Sequence, residues 1–377
     1  MKIFLLFTLL VISNAQIYYD GYCSQKPYGL WLDVVIIIEN SKNMSVYGLQ
    51  RVAASVVDLF SMDTKIGPSS PLNRNTRVGV VTYSNDAKVV ASLDTFQSYD
   101  DLYQTLIQLP TKFEKSDEFY LAKGLEAAEN LLTTGRANNY RSNYKQVVIV
   151  YADSYGPGQL DTGPVVQRLK NNDVTIMAII PFVSQSDLNA FQDIAGPYVY
   201  QLGIDTNMRV MQALLDINCF CRPGYIDIGA DNQGRFGVCV KVMTNATTWS
   251  VARLACQNDT PNGRLVAEYT DYKHRVVQSR VRDATGFMYN YHIGLTFTNN
   301  GWEWEQPAGW KKAGSIVNQN YQGWNDKYPM AQSVNTSVAN VAGTNGVIGW
   351  QNISPYTDSK VFVCETFACD AEHYCVF

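Results

Sequence analysis

Histidine is scarce. The chain has three, His274, His292 and His373, far apart in sequence. No His-Glu-x-x-His pair occurs, which excludes the helical zinc-protease arrangement, and the histidine spacing fits no zinc cluster. Gly-x-Ser-x-Gly is also missing, and with it the nucleophile elbow of the α/β-hydrolases. Charge is sparse: 17% of residues are charged and the net charge is −4. Without a basic surplus, nucleic acid and anionic membranes are excluded as main partners. Long apolar runs are absent. The stretch ending at Ile12 and the five residues 34–38 fall well short of the ~20 that a membrane-spanning helix needs. Finally, no cysteine lies between Cys23 and Cys219. A conventional apolar core must hold that region.

What is present gives the chain its compartment. Met1-Lys2 precedes an apolar run to Ile12, and Ser13-Asn14-Ala15 follows. A charge, a short apolar stretch and small residues at a cleavage point predict a signal peptide at residues 1–15, followed by a short amino-terminal segment, 16–28. The expected destination is extracellular, with no membrane insertion. The eight cysteines, an even number, are then expected as disulfides. Asn43, Asn245, Asn258, Asn335 and Asn352 each begin an Asn-x-Ser/Thr sequon. In a secreted chain these are expected glycosylation sites on the surface.

From 29 to 217, short β-branched runs alternate with helical patterns. Residues 33–38, 77–83, 88–93, 146–151, 174–180 and 198–201 read as strands. Residues 48–60, 121–132, 165–169, 186–194 and 208–217 read as helices. The run 34–38 is apolar without alternation, as in a strand buried on both faces. The order predicts an α/β, doubly wound, mostly parallel sheet. No Gly-rich phosphate loop follows the first strand, so nucleotide binding is not expected.

In such sheets ligands sit beyond the carboxyl ends of the strands. The first strand begins with Asp33 and ends Glu39-Asn40-Ser41-Lys42-Asn43. With Arg77-Val78-Gly79-Val80-Val81-Thr82-Tyr83 and Val147-Val148-Ile149-Val150-Tyr151-Ala152-Asp153, this resembles the von Willebrand factor A family. In that family Asp-x-Ser-x-Ser, a Thr on a second loop and a later Asp hold a divalent cation. Here the resemblance puts Glu39 at the first Asp, Ser41 at the first Ser, Asn43 at the second Ser, Phe119 at the Thr and Asp153 at the last Asp. Glu is a methylene longer than Asp, and Phe offers no oxygen, whereas a hard cation wants near-ideal oxygen geometry. The expectation is a scaffold without its ion and no cofactor; the alternative is a divalent cation on Glu39, Ser41 and Asp153.

From Cys219 onward aromatics and Asn/Gly turns become dense, and long helical patterns are expected to fade. A short helix, Trp249 to Cys256, is followed by His292-Ile293-Gly294-Leu295, Gly301-Trp302-Glu303-Trp304 and Phe362-Val363-Cys364-Glu365. The ordered set resembles the C-type lectin-like family, with His292 where that family has Trp, and implies an α+β fold over 219–377. Calcium-dependent sugar binding in that family uses two carboxylate- or amide-bearing positions around a cis-proline, and a later Trp-Asn-Asp. Here the first reads Tyr328-Pro329-Met330 and the second Trp350-Gln351-Asn352; a literal Trp-Asn-Asp at 324–326 is out of place. The usual calcium site is therefore not expected. The resemblance implies Cys256–Cys364 as the core bridge and Cys221–Cys239 as an amino-terminal hairpin bridge. Cys23 would pair with Cys219, and Cys369 with Cys375, although the sequence leaves these four open.

The combination resembles secreted proteins of nematode type that join these two domains in this order. It implies a non-catalytic recognition protein, an innate-immune lectin binding glycans, microbial surfaces or extracellular proteins. The alternative is a matrix or epithelial-surface adhesion protein working through protein contacts of the first domain.

Overall fold

The computed structural model describes residues 26–61, 63–68, 75–136, 141, 144–155, 160–181, 185–231, 234–287, 290–307, 314–316, 321–330, 336–344 and 346–369. The expected signal peptide 1–15, most of 16–28, Cys23, Asn335, His373 and Cys375 lie outside the described residues. Two compact units emerge. The first holds the described residues up to Pro223 together with Gly229–Gly237 and Ala368–Cys369, and the second holds Gly224–Ile228 and Val238–Phe367.

The first unit runs β1 (Leu32–Glu39), α1 (Ser45–Phe60), β2 (Arg77–Tyr83), β3 (Ala87–Ala91), α2 (Tyr99–Leu106), α3 (Leu121–Arg136), β4 (Lys145–Tyr151), α4 (Gly163–Asn171), β5 (Val174–Ile180), α5 (Gln185–Ala195), β6 (Val199–Gln201) and α6 (Thr206–Asn218). Its sheet has the order β3-β2-β1-β4-β5-β6. Only the β2–β3 hairpin is antiparallel. The apolar run of β1 is explained by its position. Val34, Ile36 and Ile38 enter one core with residues of α1 and α6, while Val35 and Ile37 enter a second with residues of α3, α4 and α5. Successive side chains point to opposite faces of a strand, so burial on both faces removes any alternation.

The amino end of β1 is closed by buried charge. Asp33 Oδ1 accepts from Arg77 Nε at 2.9 Å and Arg141 Nε at 2.8 Å, and Oδ2 accepts from Arg77 Nη2 at 2.7 Å. All three residues are buried. Helix α2, which the sequence patterning missed, starts with Ser98 capping the Asp101 amide. Its eight residues bury only Leu102 and Leu106, too few for a periodic signal.

Three short strands, β7 (Ile226–Asp227) and then the β8–β9 ribbon (Ala230–Asp231, Gly234–Arg235), precede the long strand β10 (Val238–Thr247). The second unit continues with α7 (Trp249–Asp259), β11 (Arg264–Leu265), α8 (Asp271–Thr285), β12 (Tyr291–Thr298), β13 (Gly301–Trp304), β14 (Gly314–Ser315), β15 (Ser337–Ala342), β16 (Ile348–Ile353) and β17 (Lys360–Phe367). The sheet order is β14-β13-β12-β17-β10-β7, with β11 on β17 and β15 joining β12 to β16. Strand β17 runs antiparallel to β10 and parallel to β12. A disulfide from Cys256 of α7 to Cys364 of β17 holds helix to sheet, with the Cα atoms 5.2 Å apart.

The expectation that helical patterns fade here is corrected by α8, fifteen residues long. Its buried stripe is Lys273, His274, Val277 and Val281. Two of those four are polar, so hydropathy hides a helix that the 3.6-residue period still draws.

Candidate functional site

The carboxyl end of β1 brings together the expected ion-site residues of the first unit. Glu39 is fully buried and turned inward. Its Oε1 accepts from Ser41 Oγ at 2.5 Å, and its Oε2 from the Asp153 amide at 2.9 Å. The Asn43 amide donates to Ser41 Oγ at 3.2 Å, while the Asn43 side chain faces solvent. Phe119 is half-buried and packs on the core under α3. Burial pushes the Glu39 carboxyl up to about 7, although the Ser41 and Asp153 hydrogen bonds favour its charge. Burial, and then the Asp187 charge, also raise Asp153. A hard divalent cation needs a shell of outward-facing oxygens. Both Glu39 oxygens are engaged within the protein, and Phe119 supplies none. The residues do not fit the ion.

In the second unit the Tyr328–Pro329 bond is cis. The loop it shapes meets β16: the Met330 amide donates to Asn352 Oδ1 at 2.8 Å. Tyr328 is half-buried, Met330 exposed and Gln351 half-buried. Trp350 is fully buried, its Nε1–H donating to Glu268 Oε2 at 2.7 Å. Asn325, of the out-of-place Trp-Asn-Asp, spends its amide donors on the Val341 and Gly349 carbonyls. No carboxylate stands at 328–330 or 350–352, whereas Ca²⁺ takes six to eight oxygens. Calcium does not fit this donor set.

Both units now have a fold and a recognisable functional edge. The von Willebrand factor type A domain family matches residues 33–203. The lectin C-type domain family matches residues 245–366. The chain carries a von Willebrand factor type A domain followed by a C-type lectin domain. A C-type lectin domain-containing protein 160 of Caenorhabditis elegans is 24% identical over 375 residues, covering 94% of this chain. The chain spans 56% of that relative's length. A C-type lectin of Cerberus rynchops is 27% identical over 133 residues, covering 35% of this chain and 78% of its own. Among solved structures, proximal thread matrix protein 1 of the mussel byssus is 18% identical at a TM-score of 0.42, covering 53% of this chain and 51% of its own. Human lithostathine is 22% identical at a TM-score of 0.30, covering 39% of this chain and 90% of its own. These domains are of recognition and adhesion types.

The lectin domain holds buried polar networks that sequence reading missed. Glu268 accepts from Tyr291 Oη at 2.9 Å, Asn340 Nδ2 at 2.9 Å, Trp350 Nε1 at 2.7 Å and His274 Nδ1 at 2.7 Å. Burial opposes its charge, but His274, Asn340 and Trp350 outweigh burial and hold Glu268 below the usual range. Burial likewise opposes charge on His274, and Glu268 outweighs it and holds the imidazole above the usual range. Glu365 is bracketed by Arg264 Nη2 and Lys273 Nζ, each at 2.5 Å. His292, in the place of the family's Trp, is also buried. Its Nε2 meets the Thr247 carbonyl at 2.9 Å, and burial pushes it down to about 4, so the ring is neutral. The lone acid after the apolar residues Leu265, Val266 and Ala267 was the available signal for Glu268.

Of the sequons, Asn43, Asn245 and Asn258 are exposed, and Asn352 is half-buried. Besides Cys256 and Cys364, Cys219, Cys221, Cys239 and Cys369 are disulfide-bonded. Among the described residues no helix is long and apolar enough to cross a membrane, and no three His, Cys, Asp or Glu side chains group as metal ligands.

Proposed function

We propose that this chain is a secreted, non-catalytic recognition protein that binds glycans on microbial or host surfaces without the metal chemistry of either domain family. The observation that carries the reading is the pairing of two binding scaffolds whose metal positions are both filled by other contacts. Glu39 is bonded to Ser41 and the Asp153 amide, and Asn352 to the Met330 amide. Exposed sequons and the bonded cysteines support an extracellular setting. The remaining disulfides in this reading are Cys23–Cys219, Cys221–Cys239 and Cys369–Cys375.

The test is a glycan and bacterial-surface binding screen of the secreted protein in Ca²⁺ and in EDTA. Equal binding in both is expected. Binding abolished by EDTA and restored by Ca²⁺ would overturn the metal-independent reading. Capture of one matrix protein, with no glycan bound, would favour adhesion through the von Willebrand factor A domain.

A further inference from the structure

A cleft of about 490 Å³ opens in the lectin domain between α7, the end of β12 and the turn at 354–357. It shares no residue with 328–330 or 350–352. Its volume lies within the roughly 300–1,000 Å³ usual for small-ligand sites. At its wall stands Glu305, only 9% exposed. One carboxylate oxygen, Oε2, accepts from Arg253 Nε at 2.8 Å. The other, Oε1, has no hydrogen-bond partner among the described residues, although Glu305 lines the cleft. That oxygen is open to the cleft rather than sealed in the core, so its donor comes from water or from a ligand. Arg253 is half-exposed and brings further N–H groups to the same wall. Thr298 Oγ1 donates to Glu303 Oε2 at 2.7 Å and accepts from the Asn300 amide at 3.1 Å, which leaves it one further lone pair as an acceptor.

The lining also includes exposed apolar side chains. Tyr356 is 68% exposed and Leu254 is 55% exposed. The turn carrying Tyr356 is pinned by Ser250, whose amide and hydroxyl both donate to the Pro355 carbonyl, at 3.0 and 2.9 Å. The ring is thus displayed on a fixed support, as preorganised sites require.

We infer that this cleft is a metal-independent binding site for a neutral saccharide, with the Glu305–Arg253 pair taking the hydroxyl edge of the ring and Tyr356 with Leu254 taking its apolar face. The pair cancels its own charge, so neither an acidic nor a basic ligand gains from it. A carboxylate beside a guanidinium offers an acceptor and donors at the spacing of adjacent hydroxyls, and charge-assisted bonds are the stronger kind. A pyranose has the matching two-sided chemistry, and an exposed Tyr provides contact area at small entropic cost.

The inference rests on the glycan reading above, and the experiment separates the two. The full-length secreted protein, in EDTA, is tested on an array of neutral and acidic saccharides. The best-bound neutral sugar is then titrated as its free methyl glycoside. Tyr356→Ala and Glu305→Gln are compared with the parent, and their melting curves are recorded to show that they fold. A loss of roughly tenfold or more in both variants is expected. Tyr356 is exposed, so its variant stays informative if Glu305→Gln fails to fold. Saccharide binding untouched by Tyr356→Ala overturns this site and leaves the glycan reading standing. Capture of acidic saccharides alone overturns the ligand class. No saccharide bound by the parent overturns both.

Discussion

Glu39 offers a sharp physical test. Its carboxyl titrates near 7 in the folded protein, against an ordinary value of 4.5. The native state therefore binds more protons than the unfolded one between pH 4.5 and 7. The sign follows: stability falls as pH rises across that window and levels off above it. The difference is about 2.5 pKa units, or about 3 kcal/mol at 1.36 kcal/mol per unit. Glu39→Gln removes this dependence while keeping the contacts, since the amide oxygen can accept from the Asp153 N–H and the amide nitrogen can donate to Ser41 Oγ. The variant should match the parent near pH 4.5 and exceed it by about 3 kcal/mol at pH 8. For a domain of this size that is a rise of roughly 6–12 °C in melting temperature. Circular dichroism melts of both proteins at half-unit pH steps check it. Other titrating groups, His292 among them, cancel in the difference between the two proteins. A difference that stays flat from pH 4.5 to 8 refutes the reasoning. Millimolar Mg²⁺ that stabilises the parent at pH 8 but not the variant would show that Glu39 faces an ion after all.

Other outcomes follow from the same packing. Asp33→Ala leaves Arg77 and Arg141 buried without their shared carboxylate, and should cost about 3–5 kcal/mol in urea denaturation of the first domain; a loss under 1 kcal/mol would contradict that account. Joint Cys256→Ser and Cys364→Ser substitution opens a crosslink between residues 108 apart. The loop-closure estimate for its loss is about 4–5 kcal/mol of lectin-domain stability, read as a drop in its unfolding midpoint. Adding 5 mM Ca²⁺ to EDTA-treated protein should leave both melting transitions unmoved; a site filled at a hundred times its Kd would add about 2.7 kcal/mol.

The first domain was legible because its signals are local and redundant. Continuous apolar runs such as 34–38 and 147–150, separated by periodic helices, admit few other folds. The lectin domain was legible chiefly through the order of Trp302, Trp304, Cys256 and Cys364, since α8 buries Lys273 and His274 and hides its stripe. Site chemistry divides along the same line. The substitutions at Glu39, Phe119, Tyr328 and Met330 could be read position by position against a motif. The inward turn of Glu39 onto the Asp153 amide could not, because the two are 114 residues apart and meet only through sheet register. Glu268, Glu305 and Asp33 belong to the same class. Each is an ordinary acid in sequence and takes its meaning from partners that only the fold delivers.

The position of β17 also bears on how the chain is made. In the first domain the strand at the centre of the sheet, β1, is synthesised first, and each later strand has an edge to join. In the lectin domain the order is reversed. Strands β10, β11 and β12 all lean on β17, the last of the set to leave the ribosome. Until residue 360 has emerged, those strands have unsatisfied edges, and Cys256 waits for Cys364. Chains cut short before β17 therefore keep the complete sheet of the first domain and release an open second one, with exposed edges of the kind that aggregate or are cleared.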